Sequence, residues 1–201
     1  MLIKESEIEV FILAGGKSRR MGSDKGLIDF KGVPMITHIL RVLDKLNLPT
    51  NIISSNKEYS KFGKPVYQDI IPNKGPLGGL YTALELSNSP MILLLACDMP
   101  SLNLKALKRL IKLAFSGNMV VSTDGKNISP FFSCYPQSLK NDVKKAIERN
   151  ELRLLDFVFK NSYTLLDLSI GDNTAVLQNL NTQDELIEAE NLEKIAIKKL
   201  K

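Results

Sequence analysis

A loop rich in glycine and cations follows the first apolar run of the sequence. Residues 13–25 read LAGGKSRRMGSDK, with glycines at positions 15, 16 and 22 and cations at positions 17, 19, 20 and 25. Glycines let backbone N–H groups turn toward one point, and such a nest binds phosphate oxygens. The cations offset the charge of a triphosphate, so the loop predicts a phosphate site. It is not a Walker A loop, because Ser23 rather than a lysine follows Gly22, and it is not a GxGxxG fingerprint either.

The secondary-structure elements that would position this loop alternate between strand-like and helical patterns of apolar residues. Short apolar runs typical of buried strands recur along the chain, at 7–14, 51–54, 65–67, 90–96, 119–122, 130–135 and 163–168. Segments with helical spacing separate or follow them, at 34–46, 80–86, 102–115, 137–149 and 184–195. We therefore expect an α/β fold: a three-layer, doubly wound, mostly parallel sheet with helices on both faces, Rossmann-like and nucleotide-binding. Thr182 fits the first residue of a capping box and predicts the start of the last helix.

Candidate binding residues fall where predicted strands end. Besides the first loop, a second glycine-rich turn is expected at Gly75–Gly79, and Asp98 follows the most apolar strand. Ligands of doubly wound sheets bind at the carboxyl ends of the strands. We expect one domain, residues 1–201, with a nucleotide-binding half at about 7–124 and an acceptor-binding half at about 125–201.

Composition excludes several classes of protein. The 201 residues are 44% hydrophobic and 24% charged, as in globular domains rather than disordered chains. The longest apolar run, residues 91–97, is far shorter than the ~20 residues of a membrane span. Aromatic residues make up 6% with no Trp, which argues against nucleic-acid binding. The cysteines at positions 97 and 134 form no disulfide framework, so a cytoplasmic location is expected. The net charge of +5 favours anionic partners.

Four motifs together resemble the molybdenum cofactor guanylyltransferases (MobA-type). They are LAGGKSRRMGSDKGLIDFKGVPMI at 13–36, GPLGG at 75–79, ACDMP at 96–100 and NLNTQDEL at 179–186. The first is shared by several nucleotidyltransferases, and the other three narrow the resemblance. It implies transfer of GMP from GTP to the phosphate of the molybdenum (molybdopterin) cofactor, releasing pyrophosphate and using Mg²⁺. It also implies GTP and molybdopterin cofactor as partners, with transient contact to molybdoenzyme maturation proteins.

The resemblance also implies roles for individual residues. Those expected to contact the nucleotide are Leu13, Ala14, Gly15, Gly16, Lys25, Ser54, Asp69, Gly78, Gly79 and Asp98. Lys25, Asp98 and Arg19 are the expected catalytic residues, and Asp98 is the expected metal ligand. Arg153, Asn179 and Asn181 match segments expected to face the acceptor. Two positions depart from the family pattern: Ser54 stands where the family has Asn, and Ser129 stands before Pro130 where relatives have His. A serine cannot match a base edge with two bonds as an amide does.

Alternatives stay open at this point. The cations of the first loop could be solvated, Asp98 could cap a helix, and Asp69 could be an ordinary turn residue. The donor could be CTP or UTP, with molybdopterin, a sugar phosphate or a phosphorylated alcohol as the acceptor. A GTP-binding scaffold with little catalysis is a further possibility, against which the presence of both Lys25 and Asp98 argues.

Overall fold

A central sheet connects the two halves of the molecule. The computed structural model describes residues 7–15, 24–169, 174–180 and 185, and within them seven strands form this sheet. Its strands, in chain order, are β1 (Ile8–Leu13), β4 (Thr50–Ile53), β5 (Val66–Tyr67), β6 (Met91–Ala96), β7 (Val120–Thr123), β8 (Ile128–Pro136) and β9 (Thr164–Asp167). Strands β2 (Asp29–Phe30) and β3 (Val33–Pro34) form a separate hairpin.

The spatial order of the strands is β5-β4-β1-β6-β8-β7-β9. Neighbours pair in parallel at β4–β5, β1–β4, β1–β6 and β7–β9, whereas β8 runs antiparallel to both β6 and β7. The chain leaves β1 for β4 and β5 on one side, then returns to add β6 on the other. This reversal opens a crevice beyond the carboxyl ends of β1 and β6, where doubly wound sheets bind ligands.

Helices cover both faces of the sheet. They are α1 (Met35–Leu43), α2 (Gly75–Leu86), α3 (Leu104–Ala114), α4 (Lys140–Glu148) and α5 (Leu154–Phe159). Successive strand residues point to opposite faces, so Val10 and Ile12 join the core that contains α1 and α3. Phe11 joins the core that contains α2, α4 and α5. The predicted three-layer, mostly parallel α/β fold is confirmed.

Helix α2 begins earlier than the sequence suggested. The prediction of a glycine turn at 75–79 ahead of a helix was wrong, because those residues form the first turns of α2, with Pro76 near its start. Gly79 suits this helix for a packing reason. A Cβ at that position would lie 2.7 Å from Cδ2 of Leu13, so a larger residue would require the Leu13 side chain to move.

Other boundaries differ less. The predicted strand at 130–135 extends over Ile128–Pro136, and the helix at 137–149 is divided into a 3-10 turn, Gln137–Leu139, and α4. Helix α5 and the β2–β3 hairpin were not predicted. The expected capping box at Thr182 and most of the helix at 184–195 lie outside the described residues. No helix in the described part of the chain has the length and apolar character needed to cross a membrane.

Candidate active site

The carboxyl ends of three adjacent strands lie side by side. Leu13 is in register with Ile53 on one side and with Ala96 on the other. Two hydrogen bonds extend the alignment by one residue: Ala14 N–H donates to the Ile53 carbonyl at 2.9 Å, and Cys97 N–H donates to the Leu13 carbonyl at 3.1 Å. The predicted nucleotide contacts at positions 13–15, 54 and 98 therefore share one edge of the sheet.

Space is open at the end of β1. A Cβ added at Gly15 would meet no heavy atom of the described residues within 4 Å. Gly15 is also exposed, in contrast to the buried Ala14 before it. The chain thus presents exposed backbone at the switch point of the sheet, where a ligand can approach closely.

Lys25 and Asp98 meet across this crevice. Nζ of Lys25 donates to Oδ2 of Asp98 at 3.0 Å, although the two residues come from distant parts of the chain. Only 9% of the Asp98 side chain is exposed, compared with 26% of the Lys25 side chain. A charge-assisted bond in such a shielded place is stronger than one between neutral groups. Two of the three predicted catalytic residues thus form one ion pair.

The second oxygen of Asp98 is in an unusual position. Oδ1 is buried and has no hydrogen-bond partner among the described residues. It does not cap the helix that follows, because the side chain of Asn103 accepts the Ala106 N–H at 2.9 Å at the start of α3. A buried, unpartnered carboxylate oxygen is costly unless a ligand satisfies it, and a divalent cation prefers such a hard oxygen.

Ser54 participates in a turn directly after β4. Its Oγ accepts the N–H of Asn56 at 3.1 Å, and Oδ1 of Asn56 accepts the N–H of Glu58 at 3.0 Å, which caps the 3-10 helix Lys57–Phe62. Ser54 is buried at 5% exposure. The hydroxyl thus orders the local backbone, and its predicted contact with the nucleotide stays a prediction.

Asp69 lies beside the first turns of α2. The N–H of Ile70 donates to Oγ1 of Thr82 at 3.0 Å, and Thr82 donates to the Gly78 carbonyl at 3.0 Å. Surrounding protein atoms partly desolvate the Asp69 carboxyl and raise its pKa, and the Thr82 hydroxyl opposes that shift. The residue is nevertheless exposed, so its carboxyl is accessible to a ligand.

Gly78 and Gly79 have packing roles. The N–H of Gly78 donates to the Lys74 carbonyl at 3.2 Å, and a Cβ there would come 2.8 Å from Cβ of Lys74. Together with the Gly79 contact on Leu13, this explains both glycines without a ligand. The predicted approach of these glycines to a base stays a prediction.

The predicted acceptor residues come from two separate segments of the chain. The side chain of Arg153 is 77% exposed and lies 3.5 Å from Asp156 at the start of α5. Asn179 is half-buried and precedes Leu180, whose N–H donates to the backbone carbonyl of Asp98 at 3.1 Å. The segment that carries Asn179 thus reaches the predicted metal ligand. Gly16, Arg19 and Asn181 lie outside the described residues.

The sequence analysis did not identify two site residues near Lys25, which are Asp24 and Tyr59. The hydroxyl of the buried Tyr59 donates to Oδ1 of Asp24, and Nδ2 of Asn56 lies 3.5 Å from Oδ2 of the same carboxylate. Asp24 immediately precedes Lys25, and that adjacency could have identified it as a site residue from the sequence. Nothing in the sequence around Tyr59 distinguishes it from an ordinary core aromatic.

The neighbouring thiol of Cys97 is inert. Burial is the main cause that raises its pKa to about 12, and the negative charges of Asp98 and Asp24 add to it. A protonated, buried thiol is a poor nucleophile. Cys97 is therefore unsuited to act as a covalent nucleophile at this edge of the sheet.

Comparison with known proteins finds a family model and relatives whose descriptions agree with one another. The family model of the MobA-like NTP transferase domain matches residues 10–161. A probable molybdenum cofactor guanylyltransferase of Flavobacterium johnsoniae is 34% identical over 180 residues, covering 89% of this chain and 94% of the relative. The molybdenum cofactor guanylyltransferase of Haemophilus influenzae is 33% identical over 185 residues, covering 89% and 95%.

A solved structure shares the fold. The crystal structure of molybdopterin-guanine dinucleotide biosynthesis protein A from Archaeoglobus fulgidus aligns with a TM-score of 0.79, covering 92% of this chain and 98% of that one. Sequence identity is 19%, so this likeness concerns the fold alone.

Proposed function

This chain belongs to the family of MobA-like NTP transferases, and from that premise we propose that it transfers GMP from GTP to the phosphate of the molybdenum (molybdopterin) cofactor. It is a nucleotidyltransferase of molybdenum cofactor biosynthesis. The products are the molybdopterin guanine dinucleotide cofactor and pyrophosphate. The observation that carries this proposal is the Lys25–Asp98 pair at the switch point of the sheet, with Oδ1 of Asp98 unpartnered among the described residues.

The reaction is a displacement at phosphorus. A phosphate oxygen of the acceptor attacks the α-phosphorus of GTP and forms a new P–O bond. The bond from that phosphorus to the oxygen bridging to the β-phosphorus breaks, and the electron pair leaves with pyrophosphate. The chain supplies position and charge, because two polyanions must be brought together in line.

Lys25 is the residue best placed to act on the phosphates. Its ammonium lies at the crevice, oriented by Asp98, with 26% of the side chain exposed. In this position it offsets the charge that moves onto the leaving pyrophosphate. Within this proposal, Leu13, Ala14 and Gly15 offer backbone to the nucleotide, and Asp69 offers a carboxyl to its ribose or base.

The family is one of nucleotidyltransferases, which typically use a divalent metal, and we propose that the ion is Mg²⁺. Oδ1 of Asp98 fits this role as a hard, buried oxygen without a hydrogen-bond partner among the described residues. Those residues contain no group of three or more His, Cys, Asp and Glu side chains that could hold a metal ion. The remaining ligands would be substrate phosphates and water. When bound, the ion neutralises phosphate charge.

The proposal extends to the acceptor, the location and the partners. Arg153 and Asn179 are proposed to face the acceptor phosphate, and Asn181 belongs to the same segment. A cytoplasmic location is proposed from the two free, buried cysteines, Cys97 and Cys134. Transient contact with maturation proteins that receive the product belongs to the same proposal.

A labelled-nucleotide transfer assay tests the function. Purified protein, Mg²⁺ and molybdenum cofactor are incubated with each α-labelled nucleoside triphosphate in turn. We expect label from GTP alone to move onto the pterin. Label from CTP or UTP would overturn the base assignment, and binding of GTP without transfer to any acceptor would favour a scaffold.

A pair of variants makes the assay specific to the site. Asp98→Asn should abolish most transfer. Asp44→Asn is the matched control, because Asp44 also accepts from a lysine, Lys64, at 2.7 Å but lies on the surface. Equal activity of both variants would remove Asp98 from the mechanism.

A further inference from the structure

Tyr59 is a buried phenol that contacts the end of the first loop. It is fully shielded from solvent and lies in the 3-10 helix Lys57–Phe62. Its hydroxyl donates to Oδ1 of Asp24, the residue directly before Lys25. Burial is the main cause that holds the pKa of this phenol far above its ordinary value of 10.0, and the Asp24 carboxylate adds to it. The hydroxyl is therefore a donor throughout the physiological pH range.

The hydroxyl of Tyr59 also lies close to Gly26, the other neighbour of Lys25. A Cβ at Gly26 would lie 2.5 Å from the Tyr59 hydroxyl oxygen and 3.0 Å from Cβ of Cys97. The backbone of Gly26 is thus packed tightly against Tyr59. Residues on both sides of Lys25 contact one buried side chain, which leaves the backbone of the lysine little room to shift.

A second, longer contact joins this arrangement to β4. Nδ2 of Asn56 lies 3.5 Å from Oδ2 of Asp24, and the backbone of Asn56 is bonded to the hydroxyl of Ser54 at 3.1 Å. The Asp24 carboxylate therefore contacts two side chains from the segment after β4, those of Asn56 and Tyr59. This segment is continuous with the strand whose end forms the crevice.

The consequence concerns the ammonium of Lys25. Lysine has a long, flexible side chain that loses considerable entropy when it is fixed. Its tip nevertheless lies 3.0 Å from Asp98, and a shift of about 1 Å in a catalytic group can reduce the rate about 100-fold. Fixing the backbone at Lys25 reduces the freedom that the Asp98 contact must restrict.

We propose that Tyr59 is a positioning residue: by holding Asp24 and Gly26 on either side of Lys25, it sets the position of the Lys25 ammonium at the crevice. No motif of the family resemblance includes this tyrosine. The consequence for transfer rests on the proposed function, but the consequence for the lysine is a property of the fold and is measurable without substrate.

The test compares two buried tyrosines. Tyr59→Phe removes the hydroxyl and keeps the ring in the core. Tyr135→Phe is the matched control, because Tyr135 is also fully buried and its hydroxyl donates to the Pro130 carbonyl at 2.7 Å, on strand β8. Melting temperatures measure what each hydroxyl contributes to stability, and kcat and KM measure what each contributes to transfer.

We expect Tyr59→Phe to lower kcat about tenfold or more, whereas Tyr135→Phe leaves kcat within about twofold. In a Lys25→Ala background, Tyr59→Phe should have little further effect, because the group that it positions is gone. An equal loss of kcat with and without Lys25 would overturn the proposal. So would equal, small losses of kcat in the two tyrosine variants.

A measurement of lysine reactivity, which needs no turnover, distinguishes this proposal from the proposed function. Lysines are labelled briefly with acetic anhydride, and the peptide that carries Lys25 is quantified by mass spectrometry. We expect Lys25 to be acetylated several times faster in Tyr59→Phe than in Tyr135→Phe, with Lys64 as an internal reference. Equal rates would overturn the positioning role. If no nucleotide supports transfer but the rates differ, the proposed function fails and the positioning role stands.

Discussion

On the side of the sheet formed by β4, β1 and β6, Lys25 is bonded to Asp98 and flanked by residues that contact the buried Tyr59. On the other side, beyond β8, Arg153 extends a side chain that is 77% exposed and pairs at 3.5 Å with Asp156, itself 51% exposed. Exposed pairs of this kind are worth at most about 1 kcal/mol. The described contacts therefore hold Lys25 of the proposed donor half in place, whereas the ion pair of Arg153 in the proposed acceptor half is exposed.

This difference between the surroundings of Lys25 and Arg153 bears on how the two proposed substrates would be recognised. Fixed groups bind a ligand without losing side-chain entropy, so under the proposed function Lys25 and Asp98 would present a preorganised pair to the nucleotide. An exposed arginine loses side-chain entropy when a ligand orders it, which would weaken binding of the acceptor but would tolerate a large, irregular ligand. Under the proposed function, the Lys25–Asp98 pair would define where the α-phosphorus lies, and Arg153 would adapt to the acceptor.

Chelation should have the largest effect. EDTA is expected to abolish transfer, and excess Mg²⁺ should restore it, because Oδ1 of Asp98 is the buried oxygen that a metal would satisfy. Label transfer is measured before chelation, after it and after Mg²⁺ is added back. Activity that survives chelation would remove the metal from the donor half.

Lys25→Ala should lower kcat about 100- to 1,000-fold, as loss of one preorganised charge does in other enzymes. The melting temperature should change much less than it does in Leu93→Ala, because Leu93 is fully buried in the core and Lys25 is not. Steady-state kinetics and thermal unfolding measure the two effects. A loss of stability that matches the loss of turnover would identify a structural lysine.

Thr82→Val tests the support under Asp69. It removes the hydroxyl that accepts from Ile70 and donates to Gly78, and we expect KM for GTP to rise about fivefold to tenfold with kcat nearly unchanged. The matched control is Thr50→Val, whose buried hydroxyl donates to the Leu48 carbonyl at the opposite end of β4. If both variants bind GTP equally well, Asp69 does not depend on Thr82.

Arg153→Ala should have the smallest effect. We expect KM for the molybdenum cofactor to rise about threefold, with KM for GTP and the melting temperature unchanged, because the side chain is mostly exposed. Arg149→Ala, which removes a second exposed arginine at the end of α4, serves as the control. A large rise in KM for GTP would contradict the division into donor and acceptor halves.

The sequence was most informative where local pattern and tertiary role agree. Apolar runs such as 91–96 form strands in any βαβ unit, and glycines followed by lysine mark a phosphate loop without knowledge of the fold. Asp98 was predicted because it ends such a strand. Its partner Lys25 was predicted for the same site, but their direct bond follows from strand order, which periodicity does not encode.

Sequence reasoning was less successful where tertiary packing decides. A run of Gly, Pro and Gly at 75–79 has low helix propensity, yet it forms the start of α2, where Gly79 packs closely on the Leu13 side chain of β1. Tyr59 resembles any core aromatic until its hydroxyl is seen beside Asp24. Strand β8 gave no sign of its antiparallel direction, since a buried strand has the same pattern in either orientation.

The hydrogen bond from Leu180 N–H to the Asp98 carbonyl has a consequence for the order of synthesis. The side chain of Leu180 is buried with Phe30 and Met35, next to the hairpin that follows Lys25. A ribosome-bound chain that stops short of Leu180 has already made Lys25 and Asp98, but it lacks this bond and this side chain. The crevice is therefore completed only after Leu180 has been made, and contacts between such distant residues also form slowly in refolding.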